Sequence, residues 1–413
     1  MSKNNVNIHI VGAGISGLIA AKVLEENGFS PVIIESSNRA GGRVKTDIID
    51  GYQLDRGFQV LLTDYPAAKK FLDFDALALQ KFVPGAVIFY NGKKSIMGDA
   101  FRDSSLLFST IFSNAGSIVD KLKILKLNNQ LKKKKLDAIF LDDEKTTYQY
   151  LIDFGFSDKI INRFFKPFFG GIFLESELTT SSRMFEFVYK MFGEGLAVLP
   201  KGGIEEISKQ LLNSLTKTTF LFNRKVSSVK DGEILLSNGD KILSDYTIIA
   251  TDPSPMVDNL KNQKVNWKSC QTLYFTCPKK IISKPIIGLV ADKESLVNNI
   301  FFHTSISMEN RNEQELLSVT VIKKHQLSEE SLVKKIQDDL NTFCLITEAK
   351  FLHSYHIPMA LPNLNNIQYD LNPSETQLTD TLFIAGDTLL NGSLNAAMIS
   401  GEKAALGLLE KLS

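Results

Sequence analysis

The sequence predicts an α/β protein in which one parallel sheet is assembled from separate parts of the chain. Two observations predict it: a strand–glycine turn–helix–strand pattern over residues 6–35, and a strand–turn–helix pattern over residues 381–412. Two such units at opposite ends of a chain fit one sheet when the segments between them are inserted as a second, mixed α+β layer. The length of 413 residues is enough for two or three domains.

Composition excludes several classes of protein. The hydrophobic fraction of 44% and the charged fraction of 23% are ordinary for a globular protein. Lys and Arg (47) balance Asp and Glu (46), which argues against a nucleic-acid-binding surface. Three cysteines, Cys270, Cys277 and Cys344, are too few for a disulfide framework and favour a reducing, cytoplasmic location. The sequence has no HExxH, CxxC or P-loop pattern, so we expect no metal site.

The N-terminal pattern has the order strand, glycine turn, helix, strand, acid. Val6–Val11 is predicted as a buried strand, Leu18–Asn27 as a helix and Pro31–Ile34 as a second strand that ends at Glu35. Gly28 follows the helix, where a left-handed residue is expected.

Between the first strand and the helix lies a GxGxxG motif, which is typical of dinucleotide binding in this context. Its glycines permit a tight turn, a close approach to a pyrophosphate and close helix packing, and the helix N-terminus attracts the phosphates. A carboxylate after the second strand binds ribose hydroxyls and repels a 2′-phosphate, which disfavours NADP. The predicted contacts from this unit are Gly12, Gly14, Ile15, Ser16, Gly17, Glu35 and Ser36.

The residues after the acid indicate which dinucleotide is bound. Gly41, Gly42 and Arg43 follow Glu35 at short range, and in this context the sequence resembles the flavin-dependent superfamily of amine oxidases, protoporphyrinogen oxidases and phytoene desaturases. The resemblance implies an FAD site to which all three residues contribute, with Arg43 balancing phosphate charge.

A hairpin is predicted around Asp50-Gly51. The stretch that follows it, Leu54–Phe58, resembles the acid-x-glycine segment that runs past the flavin in this superfamily, and this implies a flavin contact at Gly57. Relatives carry Gly-Gly or Gly-Pro after that acid, whereas this chain has Arg56-Gly57 after Asp55. The departure leaves the subfamily open.

The C-terminal unit resembles the closing flavin motif of the same superfamily. A strand over Thr381–Ala385 leads to a glycine–aspartate pair, a turn and a helix over Leu394–Leu412. The resemblance implies that the aspartate binds the ribityl chain and that the helix start faces the cofactor. The motif contains no cysteine, so we expect non-covalent FAD. The predicted contacts are Gly386, Asp387, Ser393 and Leu394.

Internal segments are expected to return to the FAD domain. Residues 199–204 (LPKGGI) resemble the lead-in to a superfamily helix, and residues 225–251 read as a three-stranded meander followed by an apolar strand. In relatives the backbone at the position of Val226 contacts adenine. The predicted domains are therefore an FAD-binding, split Rossmann-like domain and an inserted substrate domain. The first comprises residues 1–75, 196–255 and 366–413, and the second residues 76–195 and 256–365.

Fewer sequence motifs support the catalytic assignments in the inserted domain. The resemblance implies that a segment with an aromatic residue and A-x-P approaches the flavin, which makes Tyr355 and His356 the candidate catalytic residues. Many amine oxidases keep a lysine near the flavin, but Lys268 lies at a different offset, which weakens that alternative. The phenylalanine-rich stretch over residues 164–192 is expected to be core, and part of it is also a candidate wall for a substrate tunnel.

The resulting expectation is an FAD-dependent oxidoreductase that dehydrogenates a hydrophobic small molecule, as carotenoid desaturases or protoporphyrinogen oxidases do. The alternatives are a non-redox flavin isomerase of the prolycopene isomerase type and a flavin amine oxidase. An external electron acceptor, oxygen or a quinone, is expected, whereas a nucleic acid is not. The apolar and lysine-rich stretch 104–136 fits a solvated helix face best, with peripheral membrane contact as the alternative.

Overall fold

A computed structural model describes residues 6–98 and 115–413. The strands, in chain order, are β1 Ile8–Val11, β2 Val32–Ile34, β3 Thr46–Ile49, β4 Tyr52–Asp55, β5 Leu61–Leu62, β6 Gln80–Lys81, β7 Gly85–Tyr90, β8 Lys93–Gly98, β9 Ala197–Leu199, β10 Thr219–Leu221, β11 Val226–Lys230, β12 Glu233–Leu236, β13 Lys241–Leu243, β14 Tyr246–Ile249, β15 Asn266–Cys277, β16 Ile287–Val290, β17 Val297–Phe302, β18 Glu315–Val321, β19 Lys350–Asn363 and β20 Leu382–Ile384. The helices are α1 Ile15–Glu26, α2 Pro66–Phe71, α3 Ile118–Lys133, α4 Leu136–Leu141, α5 Thr147–Asp153, α6 Asp158–Ile160, α7 Lys166–Phe173, α8 Ser182–Glu194, α9 Glu206–Asn213, α10 Glu329–Cys344 and α11 Leu394–Leu412.

The predicted parallel sheet is present and takes its strands from across the chain. Its order is β10-β2-β1-β14-β20, and every neighbouring pair is parallel. In open parallel sheets a ligand binds beyond the carboxyl ends of the strands, where the strand order reverses. Here that edge is formed by the loops that follow β1, β2, β14 and β20.

The two faces of the parallel sheet are covered by different elements. Helices α1 and α11 pack together on one face, and α9 packs against α1. On the other face the predicted meander β11–β13 contributes Val226, Val229 and Ile234 to a core with Val11 and Ile34. The sheet is therefore buried on both faces, which explains why its strands are short apolar runs without alternation.

The second sheet has seven strands in the order β19-β15-β18-β17-β16-β7-β8. All its pairs are antiparallel except β7 with β16. Helix α10 covers one face through Leu332, Ile336 and Leu340. The hairpin predicted at Asp50-Gly51 is also present, and both turn residues have positive φ values, 48° and 75°.

The two large sheets take their strands from different segments of the chain, and the division into two domains stays a prediction. The five parallel strands all fall within the segments assigned to the FAD domain, and the seven-stranded sheet falls within the inserted segments. A small sheet, β5-β9-β6, joins both parts. The exact boundaries at residues 75, 195, 255 and 365 stay predictions.

The phenylalanine-rich stretch contains one irregular turn. A π-helical turn over Ile161–Phe165 interrupts the regular helix, and α7 then continues through Pro167 and both glycines. Pro167 is tolerated because it lies in the first turn, where its missing N–H needs no partner. Most of the ring-bearing residues are core: Phe165, Phe169, Phe173, Phe185 and Phe187 are at most 1% exposed.

Helix α11 approaches α1 so closely that one glycine is required between them. A Cβ atom at Gly401 would overlap the backbone oxygen of Ser16. We expect Gly401→Ala to lower the free energy of unfolding by about 1–3 kcal/mol, because the two helices must move apart. Gly193→Ala in α8 is the matched control, since a Cβ there meets no atom within 4 Å and alanine is the better helix former. Chemical denaturation of both variants measures this, and equal stability of the two would contradict the packing argument.

Candidate cofactor and active site

The loop after β1 has an open cradle at the start of α1. Gly12 has a φ of 106°, and no side chain caps the first N–H groups of the helix at Gly14. A Cβ at Gly14 would meet no atom within 4 Å, whereas a Cβ at Gly17 would overlap the oxygen of Gly12. The free N–H groups of Ile15 and Ser16 therefore face space into which a phosphate fits, and the helix dipole adds partial positive charge there.

Glu35 lies beside this cradle at the end of β2. Its Oε2 accepts a hydrogen bond from the backbone N–H of Ala13 (2.8 Å), and its Oε1 accepts one from the N–H of Ser37 (2.8 Å) and one from the Ser36 hydroxyl (3.3 Å). Burial alone would raise the pKa of Glu35, but these hydrogen bonds and the charge of Lys45 hold it below its ordinary value. The carboxylate is thus kept ionised and fixed in place, as hydrogen bonding to ribose hydroxyls requires.

The glycine pair that follows packs onto the first loop. The N–H of Gly41 donates to the oxygen of Ala13 (2.9 Å), and a Cβ at Gly42 would lie 3.2 Å from the Cα of Gly14. Both glycines have positive φ values, 120° and 59°. This turn places Arg43 near the carboxyl ends of the parallel strands.

Arg43 joins the two ends of the chain. Its Nη2 lies 2.5 Å from Oδ1 of Asp387, a nearly buried carboxylate in the loop after β20. Its guanidinium also lies 5.2 Å from the ring centre of Trp267, the only tryptophan of the chain. The two residues that the resemblance assigned to phosphate and ribityl binding are therefore adjacent, and Trp267 is a neighbour that the motif search missed. The sequence signal that could have indicated Trp267 is its position as a lone tryptophan directly before Lys268.

The start of α11 is held by side chains. Ser393 accepts a hydrogen bond from the N–H of Ala396 (3.0 Å) and donates to Oδ1 of Asn391 (2.7 Å). The N–H of Gly386 donates to the Ser400 hydroxyl (3.0 Å). Since the Ser393 hydroxyl is engaged in capping the helix, its contribution to cofactor binding, and that of Leu394, would come from the backbone.

Two further predicted contacts occupy different environments. Gly57 has a φ of 95°, and a Cβ there would lie 3.0 Å from Cδ1 of Ile357 in β19, so this turn runs against the seven-stranded sheet. Val226 is 8% exposed and packs with Val11 and Ile34 near the ends of β1 and β2. Its side chain is a core residue, and only its backbone is available to a ligand.

A network of charged side chains, half-buried at Asp47 and Arg39 and exposed at Arg56, lies beside the Gly57 turn. Asp47 forms salt bridges with Arg39 (2.6 Å) and Arg56 (2.7 Å). Arg39 also forms a salt bridge with Glu205, just before α9 (2.7 Å). Burial would raise the pKa of Asp47, but the two arginines and the hydroxyl of Tyr355 hold it far below its ordinary value. The network ties the hairpin to both sheets.

The two candidate catalytic residues, Tyr355 and His356, have different surroundings. The Tyr355 hydroxyl donates to Oδ2 of Asp47 (2.8 Å), and burial together with this bond raises its pKa. His356 is exposed on the other side of β19, where its Nδ1 lies 3.5 Å from Nε2 of Gln271. The catalytic roles of Tyr355 and His356 stay predictions.

Lys268 is engaged elsewhere as well. Its Nζ lies 2.8 Å from Oε2 of Glu175 and 2.9 Å from the hydroxyl of Thr180. Both partners of the ion pair are largely buried. The lysine therefore binds the segment after α7, in agreement with its unusual sequence offset.

Within residues 6–98 and 115–413, no three His, Cys, Asp or Glu side chains form a metal-binding group. In the same part of the chain, no helix has the length and hydropathy needed to cross a bilayer.

The open helix N-terminus, the fixed acid and the arginine–aspartate pair are typical of a dinucleotide-binding fold. A family model described as "Flavin containing amine oxidoreductase" matches residues 15–409. The chain therefore belongs to this family, whose cofactor is FAD, and the residues described above fit that cofactor.

Known proteins of this fold include several oxidases. An L-amino-acid oxidase from Echis ocellatus is 23% identical over 316 residues, which cover 68% of this chain and 60% of that enzyme. The chain thus spans less than two thirds of the length of the curated relatives it matches. A putrescine oxidase variant superposes with a TM-score of 0.71 at 18% identity, covering 98% of this chain and 99% of the other. An Exiguobacterium sp. 255-15 protein, provisionally named a protoporphyrinogen oxidase, gives 0.70 at 17% identity over 99% of both chains.

Glu35→Gln tests the ribose assignment. We expect FAD affinity to fall by about tenfold to a hundredfold, because a charge-assisted hydrogen bond contributes about 1.5–3 kcal/mol. FAD titration followed by quenching of Trp267 fluorescence measures this, since Trp267 is the only tryptophan and lies beside Arg43. Glu26→Gln, at the exposed end of α1, is the control. An unchanged affinity in Glu35→Gln would remove Glu35 from the site.

Asp55 makes the stability of the protein depend on pH. Burial raises its pKa from 3.8 to about 6, although the Thr46 hydroxyl and the Ile204 N–H donate to it. As pH rises from about 4 to 6, the unfolded chain releases this proton first. The contribution of Asp55 to the free energy of unfolding therefore falls, by roughly 3 kcal/mol, over this window.

Asp55→Asn should remove that decline. The measurement is the difference in unfolding free energy between wild type and variant at several pH values, with the exposed Asp240→Asn as control. We expect Asp55→Asn to gain stability relative to wild type between pH 4 and 6. A difference that is independent of pH would show that Asp55 is ionised in the folded protein.

Proposed function

We propose that this protein is an FAD-dependent oxidoreductase that dehydrogenates an uncharged, apolar small molecule. The observation that supports the substrate class is an aromatic cluster directly after the Gly57 turn. Phe58 is half-buried and lies 5.4 Å from the ring of Phe301, which stacks on Phe82 at 4.6 Å. Phe58 therefore offers a hydrophobic surface beside the segment that, by resemblance, runs past the flavin.

The imidazole next to this cluster carries no charge at neutral pH. The ring of His303 lies 5.1 Å from that of Phe301, and its Nε2 is 2.9 Å from the hydroxyl of Ser318. Burial lowers the pKa of His303 to about 3. A neutral, apolar wall suits a polyene or a tetrapyrrole better than an alkylammonium ion. It offers the cation no partner that would offset the free-energy cost of removing its charge from water.

The proposed role of each group follows from its position. FAD bound at this site would supply the hydride acceptor and the link to an external electron acceptor such as oxygen or a quinone. Arg43 and the start of α1 would hold the pyrophosphate, Glu35 the ribose and Asp387 the ribityl chain. Phe58 would orient the substrate and exclude water from the reacting carbon.

Amine oxidation is the second candidate, and it is favoured by the names of the relatives. The Echis protein is an L-amino-acid oxidase, and a structural neighbour is a putrescine oxidase. The uncharged rings packed on Phe58 and the engagement of Lys268 by Glu175 weigh against it here. A flavin isomerase without net redox is the third alternative.

Anaerobic mixing of the FAD-loaded protein with a panel of polyenes, porphyrinogens and amines separates these functions. We expect a polyene or a porphyrinogen to bleach the flavin, and repeated turnover to need an added acceptor. Bleaching by amines alone would replace the proposal with amine oxidation. Product formation only from pre-reduced enzyme, with no acceptor consumed, would replace it with isomerisation.

The role of Phe58 can be measured with whichever uncharged substrate bleaches the flavin. Phe58→Ala should lower kcat/KM by about tenfold or more, because one apolar contact in a pocket contributes about 1–3 kcal/mol. Bound FAD should stay at the wild-type level. Phe343→Ala, half-buried in α10, is the matched control. Equal kcat/KM values in the two variants would place the substrate elsewhere.

A further inference from the structure

Exposed large apolar side chains are concentrated in one part of the described surface. Of the eleven that the described residues contain, six lie between residues 118 and 152. They are Ile118, Val119, Leu122, Leu141, Tyr148 and Ile152. Single exposed apolar residues need no explanation, but a local concentration indicates an interaction surface.

Three of the six lie together at the start of α3. Ile118, Val119 and Leu122 are 72%, 57% and 60% exposed, and their spacing places them on one side of the helix. The opposite side, with Leu127 and Leu131, is buried in the protein core. We call the exposed side the α3 face.

The start of α3 is rigidly attached. Ser117 and Asp120 form a capping box, and Asp120 also accepts a hydrogen bond from the N–H of Ser157 (2.9 Å). The Nζ of Lys123 donates to the oxygen of Gly155. The apolar residues of the α3 face are therefore held outward by a fixed helix and are not the result of a frayed end.

The same helix is strongly basic. Residues 118–135 contain seven lysines and one acid, Asp120, which is buried. Lys126 and Lys133 are exposed and follow Leu122 at four and eleven residues, so they extend the same stripe. The α3 face thus combines an apolar end with a cationic end.

Three acidic groups near this surface are paired with lysines. Asp142 and Glu186 both bind Lys134, and Asp153 binds Lys145 (2.6 Å). Asp143 and Glu144, in the loop after α4, are exposed. The net charge of the α3 face itself stays positive.

We propose that the α3 face docks on the surface of a phospholipid bilayer that carries anionic headgroups. Ile118, Val119 and Leu122 would enter the boundary between headgroups and acyl chains, and Lys126 and Lys133 would contact the phosphates. An amphipathic helix with lysines bordering an apolar stripe binds such surfaces both by burying its apolar side chains and by electrostatic attraction to the anionic lipids. The charge of the stripe selects an anionic bilayer over a neutral one, and the proposal does not depend on the enzymatic function above.

The test is co-sedimentation of the full-length, FAD-loaded protein with vesicles of phosphatidylcholine, with and without phosphatidylglycerol. We expect binding to the anionic vesicles only, and weaker binding as salt is raised. Ile118→Ser with Leu122→Ser should abolish most of the binding. Lys126→Gln with Lys133→Gln should weaken it by about fivefold for each lysine removed.

Two matched controls separate this effect from general surface changes. Leu243→Ser replaces an apolar residue that is 76% exposed on β13, and Lys264→Gln replaces an exposed lysine outside the α3 face. Both should bind like wild type. Absence of wild-type binding, or equal binding in all variants, would overturn the proposal. Sedimentation velocity that shows a dimer lost in Ile118→Ser with Leu122→Ser, without vesicle binding, would overturn it in favour of self-association.

Discussion

Close backbone approach at one edge of the parallel sheet is the constraint on which the rest of the structure depends. Gly17 lets α1 pack against the loop that begins at Gly12, and Gly401 lets α11 pack against Ser16. These contacts bring two ends of a long chain to the same place. As a consequence, Arg43 meets Asp387, 344 positions further along the chain.

The site uses few charges, each fixed by neighbouring groups. Glu35 is held by backbone N–H groups and Arg43 by Asp387, while Asp47 gathers Arg39, Arg56 and Tyr355 behind the Gly57 turn. A dinucleotide can be bound in this way by helix ends and glycines with a single arginine. This explains how a chain with a net charge of only +1 forms a site for a phosphate-rich cofactor. The Asp47 network also connects the hairpin to α9 and β19, so it sets the position of the turn relative to both sheets.

Sequence reasoning succeeded where local rules decide the outcome. The strand and helix around Gly12–Gly17, the hairpin at Asp50-Gly51, the meander and the helix Leu394–Leu412 all depend on short-range periodicity and turn chemistry. Short-range rules do not indicate a partner that comes from far along the chain. The bond of Tyr355 to Asp47 joins residues 308 positions apart, and the catalytic assignment of Tyr355 stays a prediction. The π turn before α7, which places Pro167 in the first turn of that helix, is likewise indicated by no short pattern.

The central claim is that both ends of the chain build one FAD site. The most direct measurement is the visible absorption spectrum of the protein after loading with FAD and removal of free flavin by gel filtration. The account predicts that about one flavin is retained per chain, and that Arg43→Ala combined with Asp387→Ala loses it while keeping the fold. A protein that stays colourless after loading, or a double variant that retains flavin as wild type does, would contradict the account.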